Sequence, residues 1–167
     1  MRLTNKSIEQ AVSEIAGERV LPLLRILRRK KMVSEMALAK ETDCEVNEVR
    51  SQLYRLHHAH LVSFVKKKDK KKGWYVYFWG VNEKRVRELV EQSKARRLHV
   101  LEKLLEVEQN EHFFCCGNGC VRLDFEKTIN LRFQCPECGS VLDQDPQGAR
   151  IAVIKNEIAR IHAELKD

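Results

Sequence analysis

Residues 115–139 read CCGNGCVRLDFEKTINLRFQCPECG, and the spacing of the cysteines in this stretch indicates the fold of the C-terminal part of the chain. Three residues separate Cys116 from Cys120, two separate Cys135 from Cys138, and fourteen lie between the pairs. A structural zinc ion takes four sulfur or nitrogen ligands in a tetrahedron, and two closely spaced cysteine pairs supply them. The pattern therefore predicts one structural Zn2+ bound by these four cysteines.

Disulfides, buried free thiols and a redox pair are the alternatives to a metal site at these cysteines. The double C-x3-C and C-x2-C spacing, in a chain with no secretory signal, favours metal over disulfides. No βαβ pattern surrounds the second pair, which disfavours a redox C-x-x-C, and four cysteine ligands leave no open position for catalysis. Cys115 could replace Cys116 in a C-x4-C pair, although the C-x3-C spacing is preferred. Cys44 stands alone upstream and is predicted to be a small buried or cap residue.

The composition indicates a soluble protein with an anionic partner. The 167 residues include 31 Lys and Arg against 24 Asp and Glu, which gives a net charge of +7 and a pI near 9.2. This balance favours an anionic partner such as nucleic acid. The N-terminal residues lack the apolar segment of a signal peptide, and no stretch approaches the roughly 20 apolar residues of a membrane span. We expect a cytoplasmic protein with no membrane partner.

The N-terminal half carries the pattern of a winged helix. Apolar residues at helical spacing predict helices at residues 4–16, 18–31, 34–39 and 45–60. A tight turn between the last two predicts a helix-turn-helix. Strand-forming residues at 61–65 and 74–79 then flank a charged tip, so a hairpin follows the helices. A hairpin placed after a helix-turn-helix is a winged helix.

The rest of the chain is predicted to contain a long helix, the ribbon and a last helix. Asn82 can cap a helix that runs to about Glu111, and its polar middle means that it joins two bodies or packs against a partner. Residues 121–125 and 130–133 alternate as short strands of a three-stranded ribbon. The last helix has a narrow apolar stripe and no visible core to dock on. The predicted fold class is α+β, with a winged-helix domain at 1–81, a helical connector at 82–111, a zinc ribbon at 112–145 and a C-terminal helix of unassigned role at 146–167.

The tip and return strand of the predicted wing carry the candidate contact residues. Six lysines crowd the tip, and they form either a solvated loop or a surface that tracks phosphates without sequence choice: Lys66, Lys67, Lys68, Lys70, Lys71 and Lys72. On the return strand, Trp74, Val76 and Phe78 point one way while Tyr75, Tyr77 and Trp79 point the other. A small core can bury only one set, so at least two large aromatics should be exposed. The predicted nucleic-acid or polymerase contacts include four of these aromatics: Trp74, Tyr75, Tyr77 and Trp79.

The third helix is not predicted to read the major groove. Glu45 and Glu48 occupy its first turn, where they would face phosphates with the wrong sign. Its basic and polar residues are interpreted as surface residues: Arg50, Gln52, Arg55, His57 and His58. The chain shows no nucleophile with a base, no phosphate-binding glycine loop and no paired carboxylates in an apolar setting, so nothing indicates an enzyme.

The order of winged helix, long connector and four-cysteine ribbon resembles archaeal transcription factor E, a family that corresponds to the α subunit of eukaryotic general transcription factor IIE. The resemblance covers about residues 1 to 143. It is carried by VRSQLYRL at 49–56 with Leu61-Val62, GWYVYFW at 73–79, CGNGCVRL at 116–123 and FQCPECG at 133–139. A proline commonly follows the first ligand in the family, and Gly117 stands there in this chain, which leaves the choice between Cys115 and Cys116 open.

The resemblance implies a basal initiation factor. Such a factor binds the clamp and stalk of RNA polymerase, works with TATA-binding protein and transcription factor B, and contacts the non-template strand through its wing. It favours the open promoter complex without reading sequence. Two other classes stay open: a winged-helix repressor that binds duplex operators as a dimer, which Glu45 and Glu48 disfavour, and a pure protein adaptor, which leaves the wing lysines without a role.

Overall fold

The computed structural model describes residues 3–68, 73–146 and 148–166, and these residues form two compact units. One unit contains residues 3–93 and the other residues 94–166. The division falls between Ser93 and Lys94, inside the long helix.

The N-terminal unit is a winged helix, as predicted. Its elements in chain order are α1 (Asn5–Ala16), α2 (Leu21–Arg29), β1 (Val33–Ser34), α3 (Glu35–Thr42), α4 (Val46–His58), β2 (Val62–Lys68), β3 (Tyr75–Val81) and the first part of α5 (Glu83–Asn110). The three strands form an antiparallel sheet in the order β1-β3-β2. Asp43, in the left-handed conformation with φ 52°, ends α3 and turns the chain toward α4. The helix-turn-helix and the hairpin of the sequence prediction are therefore confirmed.

Local signals in the sequence explain where these helices begin. The side chain of Thr4 accepts a hydrogen bond from the backbone N–H of Ser7, and Ser34 accepts one from Ala37, so a hydroxyl caps α1 and α3. Pro22 lies in the first turn of α2, where its missing N–H leaves no hydrogen bond unmade. Asn82 begins α5 by accepting from the N–H of Arg85 at 3.2 Å.

The core of this unit lies between the helices and the root of the hairpin. Leucines and valines from α2 and α4 fill it together with Trp79, the largest fully buried side chain among the described residues. Gly80 is required next to Trp79, because a Cβ there would lie 2.8 Å from the carbonyl oxygen of Lys31 and from Sδ of Met32. Glycine thus lets the loop before β1 approach β3.

The C-terminal unit contains a second antiparallel sheet. Its elements after α5 are β4 (Phe113–Cys116), β5 (Arg122–Asp124), α6 (Phe125–Asn130), β6 (Leu142–Gln144) and α7 (Gly148–Lys166), and the sheet order is β5-β4-β6. The predicted strand at residues 130–133 is wrong. The carboxylate of Asp124 caps α6 through the N–H of Lys127 at 2.8 Å, and the chain leaves this helix through Arg132 and Phe133 at positive φ. The local cap therefore outweighs the alternating pattern.

The last helix packs against the C-terminal half of α5, so the prediction that it has no core to dock on is wrong. Ile154 and Ile161 are buried in the middle of α7. Ion pairs join Lys94 to Glu164 and Arg97 to Glu157, each at 2.9 Å, and they run in opposite directions along the two helices. The two helices therefore form an antiparallel pair. None of the helices in the described part of the chain combines the length and apolar character needed to cross a bilayer.

Candidate metal centre and nucleic-acid surface

The four cysteines predicted as ligands come together in the ribbon. The sulfurs of Cys116, Cys120, Cys135 and Cys138 all lie within 4.8 Å of one another, and those of Cys116 and Cys138 are 3.5 Å apart. A tetrahedron with metal–sulfur bonds of about 2.3 Å separates its sulfurs by about 3.8 Å, so this donor set fits one zinc ion. Cys115 is outside this group, so the positions of the sulfurs favour Cys116 over Cys115 as a ligand.

Two turns of similar design bring the ligands together. The N–H of Gly119 donates to the carbonyl of Cys116 at 2.8 Å, and the N–H of Gly139 donates to the carbonyl of Cys135 at 2.9 Å. Both glycines have φ 73°, a conformation that side chains with a Cβ rarely adopt. The first cysteine of each turn is buried and the second is exposed, so the site has a closed inner half and an outer half at the surface.

Polar groups near the exposed half of the cysteine site change the pKa values of its thiols. The hydroxyl of Ser140 lies 3.4 Å from Sγ of Cys138, and the side-chain amide of Asn118 donates to the same sulfur at 3.6 Å. Hydrogen bonds from Ser140 and then Asn118 lower the pKa of Cys138 to about 5. Hydrogen bonds to Cys138 and Cys116 raise the pKa of Cys120 to about 12. Four thiolates at these separations would repel one another, and a dication at the centre of the group would offset that repulsion.

The wing lysines that the structure describes lie on both faces of the hairpin. Lys66, Lys67 and Lys68 are exposed on β2, whereas Lys70, Lys71 and Lys72 lie outside the described residues. The ammonium of Lys66 lies 4.3 Å from the ring centroid of Tyr75 and 5.8 Å from that of Tyr77. The ammonium of Lys67 lies 5.4 Å from the ring of Phe78 on the other face. Positive charge and aromatic rings therefore occupy the same surface.

The return strand exposes part of its aromatic set, as expected. Trp74 is 57% exposed and Tyr75 is 54% exposed, while Tyr77 is half-buried. Trp79 was predicted as a contact residue, and for this residue the prediction is wrong, because its side chain is 1% exposed. Its indole N–H donates to the carboxylate of Glu35 at 3.2 Å beneath α4. The alternation of side chains along the strand correctly places Trp79 on the same face as Tyr75 and Tyr77. Helix α4 covers that face at the root of the hairpin, and so Trp79 is buried.

Sequence reasoning missed two exposed aromatics beside the wing. Phe64 on β2 is 39% exposed, and Tyr54 on α4 is 46% exposed. Phe64 lies directly across from Trp79, and its ring centroid is 5.3 Å from that of Tyr77. The sequence contains a signal for Phe64. It precedes Lys66 by two residues, and residues two apart in a strand lie on the same face.

The basic residue at the start of the polar face of α4 is engaged within the fold. Arg50 donates to one carboxylate oxygen of Glu35 from Nε at 3.1 Å and from Nη2 at 2.9 Å, and Glu35 is buried. The other oxygen of Glu35 accepts from Trp79. The Glu35 carboxylate therefore joins α3, α4 and β3. Because the guanidinium of Arg50 is bound to this carboxylate, it is not available to contact a base, as an arginine on a groove-reading helix would be.

Comparison with known proteins identifies the family. A family model described as TFIIE alpha subunit matches residues 6–110. A protein described as Transcription factor E from Pyrococcus horikoshii is 33% identical over 166 residues, which is 99% of this chain and 87% of the relative. Its counterpart from Thermococcus kodakarensis is 33% identical over 162 residues, 96% of this chain and 88% of the relative. A solved structure of a possible transcriptional regulator from Methanosarcina mazei Go1 covers 57% of this chain and 86% of its own, at a TM-score of 0.47 and 19% identity, too distant a likeness to bear on the fold. The chain belongs to the TFIIE alpha subunit family, with the archaeal transcription factors E.

Proposed function

We propose that this chain is a basal archaeal initiation factor that binds RNA polymerase and stabilises the open promoter complex through contacts to melted DNA that do not depend on sequence. The observation that carries the proposal is the wing face on which the ammonium of Lys66 lies 4.3 Å from the ring centroid of exposed Tyr75. Aromatic rings beside lysines suit unpaired bases on a phosphate backbone. The family to which the chain belongs supports the role in transcription.

The mechanism is a shift of an equilibrium rather than a reaction. A protein that binds the open complex more tightly than the closed one shifts the balance toward open by the ratio of the two affinities. Lysines of the wing contribute affinity that falls with salt, and stacking of a base on an aromatic ring contributes about 1–3 kcal/mol. Neither contribution requires a catalytic residue, and we assign none.

The partners in this proposal follow from the family resemblance. They are the clamp and stalk of RNA polymerase, TATA-binding protein, transcription factor B and the non-template strand near the upstream edge of the bubble. The winged-helix domain at residues 1–81 would carry the DNA contact. Arg50, held by Glu35, and the acidic first turn of α4 both argue against insertion of this helix into a duplex groove.

The ribbon in this proposal holds one structural zinc ion. Cys116, Cys120, Cys135 and Cys138 would bind it, and Asn118 would support the outer ligand Cys138 by its hydrogen bond. The ion supplies a fixed link between two turns that bury too little apolar surface to fold alone.

Permanganate footprinting of a reconstituted promoter complex tests the proposal. Tyr75→Ala with Tyr77→Ala should reduce the reactivity of promoter thymines several-fold at a weak promoter and hardly at a strong one, where the equilibrium already favours the open state. Val65→Ala is the matched control, because Val65 is an exposed residue on the opposite face of the same hairpin.

Binding assays with the same purified components distinguish this proposal from the repressor and the protein adaptor. Tight, sequence-selective binding to linear duplex without polymerase would reject the proposal in favour of a repressor. Retention of polymerase with no effect of the wing variants on the footprint would favour a protein adaptor.

A further inference from the structure

The aromatic surface of the hairpin continues beyond the wing toward α4. Phe64, Tyr77 and Trp79 belong to one face of the sheet, since Phe64 pairs with Trp79 and Lys66 pairs with Tyr77. The ring centroid of Phe64 is 5.3 Å from that of Tyr77 and 5.0 Å from that of Trp79. The ring of Phe64 therefore joins Tyr77 to Trp79 at the buried root, while the ammonium of Lys66 lies near the rings of both Tyr77 and exposed Tyr75.

Helix α4, which covers this face at the root of the hairpin, adds two more rings to this group. The ring of Tyr54 packs edge-on against Trp79, with centroids 5.9 Å apart. His57 lies between the helix and the strand, 5.4 Å from Phe64 and 5.9 Å from Trp79. Trp79 is held by Glu35, so it forms a fixed floor against which Tyr54 and Phe64 both rest while they stay accessible to solvent.

The charges along this path favour an anionic chain. Residues 50–58 of α4 contain no acidic residue, and Arg55, one position after Tyr54, is an exposed cation. The acidic residues Glu45 and Glu48 lie at the opposite end of the helix region. A phosphate backbone that follows the wing lysines would meet like charge at the N-terminal end of α4 and opposite charge at its C-terminal end.

We propose that Tyr54 and Phe64 form a second base-stacking step, so that the site for single-stranded DNA runs from the wing onto the C-terminal half of α4. This inference rests on the proposed function, because it extends the same strand beyond the wing. The ligand is a run of unpaired nucleotides, since a paired base presents its edge and not its face to a surface of rings. Lys66, two residues after Phe64 on the same face of β2, and exposed Arg55, next to Tyr54 in the sequence, are the cations available to contact phosphate.

Binding of fluorescent oligothymidylates to the full, zinc-loaded chain tests whether single-stranded DNA extends from the wing onto α4. Oligomers of about 4 and about 12 nucleotides both fall within the range of site sizes of single-strand binding surfaces, about 4 to 16 nucleotides. Tyr54→Leu with Phe64→Leu keeps apolar contact with Trp79 and removes two ring faces. We expect this junction variant to bind the long oligomer about 5-fold or more weakly and the short one as the parent chain does.

Four further measurements make the outcome decisive. The wing variant Tyr75→Ala with Tyr77→Ala should weaken binding of both lengths, and Val65→Ala should change neither. Thermal unfolding monitors the fold of each variant. A junction variant that binds the long oligomer like the parent chain would overturn this inference alone. A wing variant without effect on either length would overturn the proposed function. Loss of polymerase binding by the junction variant, with oligomer binding intact, would assign the surface to a protein and reject the inference.

Discussion

Arg122 donates two hydrogen bonds to the carboxylate of Glu108, at 3.1 and 2.7 Å, and the side chain of Glu108 is 1% exposed. Arg150 reaches the same carboxylate with its Nε at 3.1 Å, and Arg122 also pairs with Asp145 at 2.5 Å. Glu108 lies on α5, Arg122 on ribbon strand β5 and Arg150 on α7. One buried carboxylate therefore links the ribbon to the helix pair within the C-terminal unit.

Removal of this carboxylate should destabilise the C-terminal unit strongly. Glu108→Ala leaves Arg122 with a charge that Asp145 alone compensates, and the cost should approach that of a broken buried ion pair, about 3–5 kcal/mol, only as far as Asp145 fails to compensate that charge. Hydrogen exchange of the amides in β5 and α7 measures the loss of stability of this unit. The exposed Glu106 on the same helix is the matched control, and Glu106→Ala should leave exchange unchanged. Equal protection in the two variants would show that Glu108 does not link these elements.

Metal analysis should find one zinc ion per chain, and Cys138→Ser should lose it. Cys115→Ser is the control, because Cys115 neighbours a ligand in sequence but lies outside the sulfur group. We expect chelation to release the amides of α7 together with those of the ribbon, since Arg122 and Arg150 share Glu108. The helices of residues 3–93 should keep their protection. Freshly purified protein without zinc would refute the metal assignment.

The six wing lysines should set the salt dependence of DNA binding. Each phosphate contact that is lost lowers the slope of log K against log salt by about 0.7 for a single strand. Replacing Lys66, Lys67, Lys68, Lys70, Lys71 and Lys72 with alanine should flatten that slope for bubble DNA in a titration of salt. Lys155→Ala, an exposed lysine on α7, serves as the control. An unchanged slope and affinity would identify the wing tip as a solvated loop.

Acid should remove the contribution of the pair between Glu9 and Arg25 to the stability of the N-terminal unit. The hydrogen bonds from Arg25, at 2.7 Å each, hold the pKa of Glu9 below its ordinary value of 4.5. A carboxyl with a lowered folded pKa stabilises the fold above its unfolded pKa, and this stabilisation is lost as the pH falls through the folded pKa.

The measurement is denaturant unfolding of the parent chain and of Glu9→Gln from pH 7 to pH 3. The parent should be more stable at pH 7, and the difference should shrink below about pH 4.5, where the unfolded carboxyl takes up its proton. A difference that stays constant over this range would show that the charge of Glu9 does not contribute.

Local patterns were sufficient for the features that depend on neighbours in the chain. The spacing of Cys116, Cys120, Cys135 and Cys138 predicts four sulfurs around one point, because each pair closes within one turn. Helical periodicity and cap residues predict the helices of the winged helix, and the two strand-forming runs predict its hairpin. Each of these signals depends on residues that are close together in the sequence, so the sequence alone is enough to detect it.

Tertiary packing decided the features that depend on distant partners. The apolar stripe of α7 is visible in the sequence, but its partner is α5, more than forty residues earlier, and no local pattern pairs them. The strand period places Trp79 and Tyr75 on one face, yet only the position of α4 determines that Trp79 is buried and Tyr75 is not. The surface that Tyr54 and Phe64 form exists only after α4 and β2 meet. Burial depends on what covers a face, and that cover comes from elsewhere in the chain.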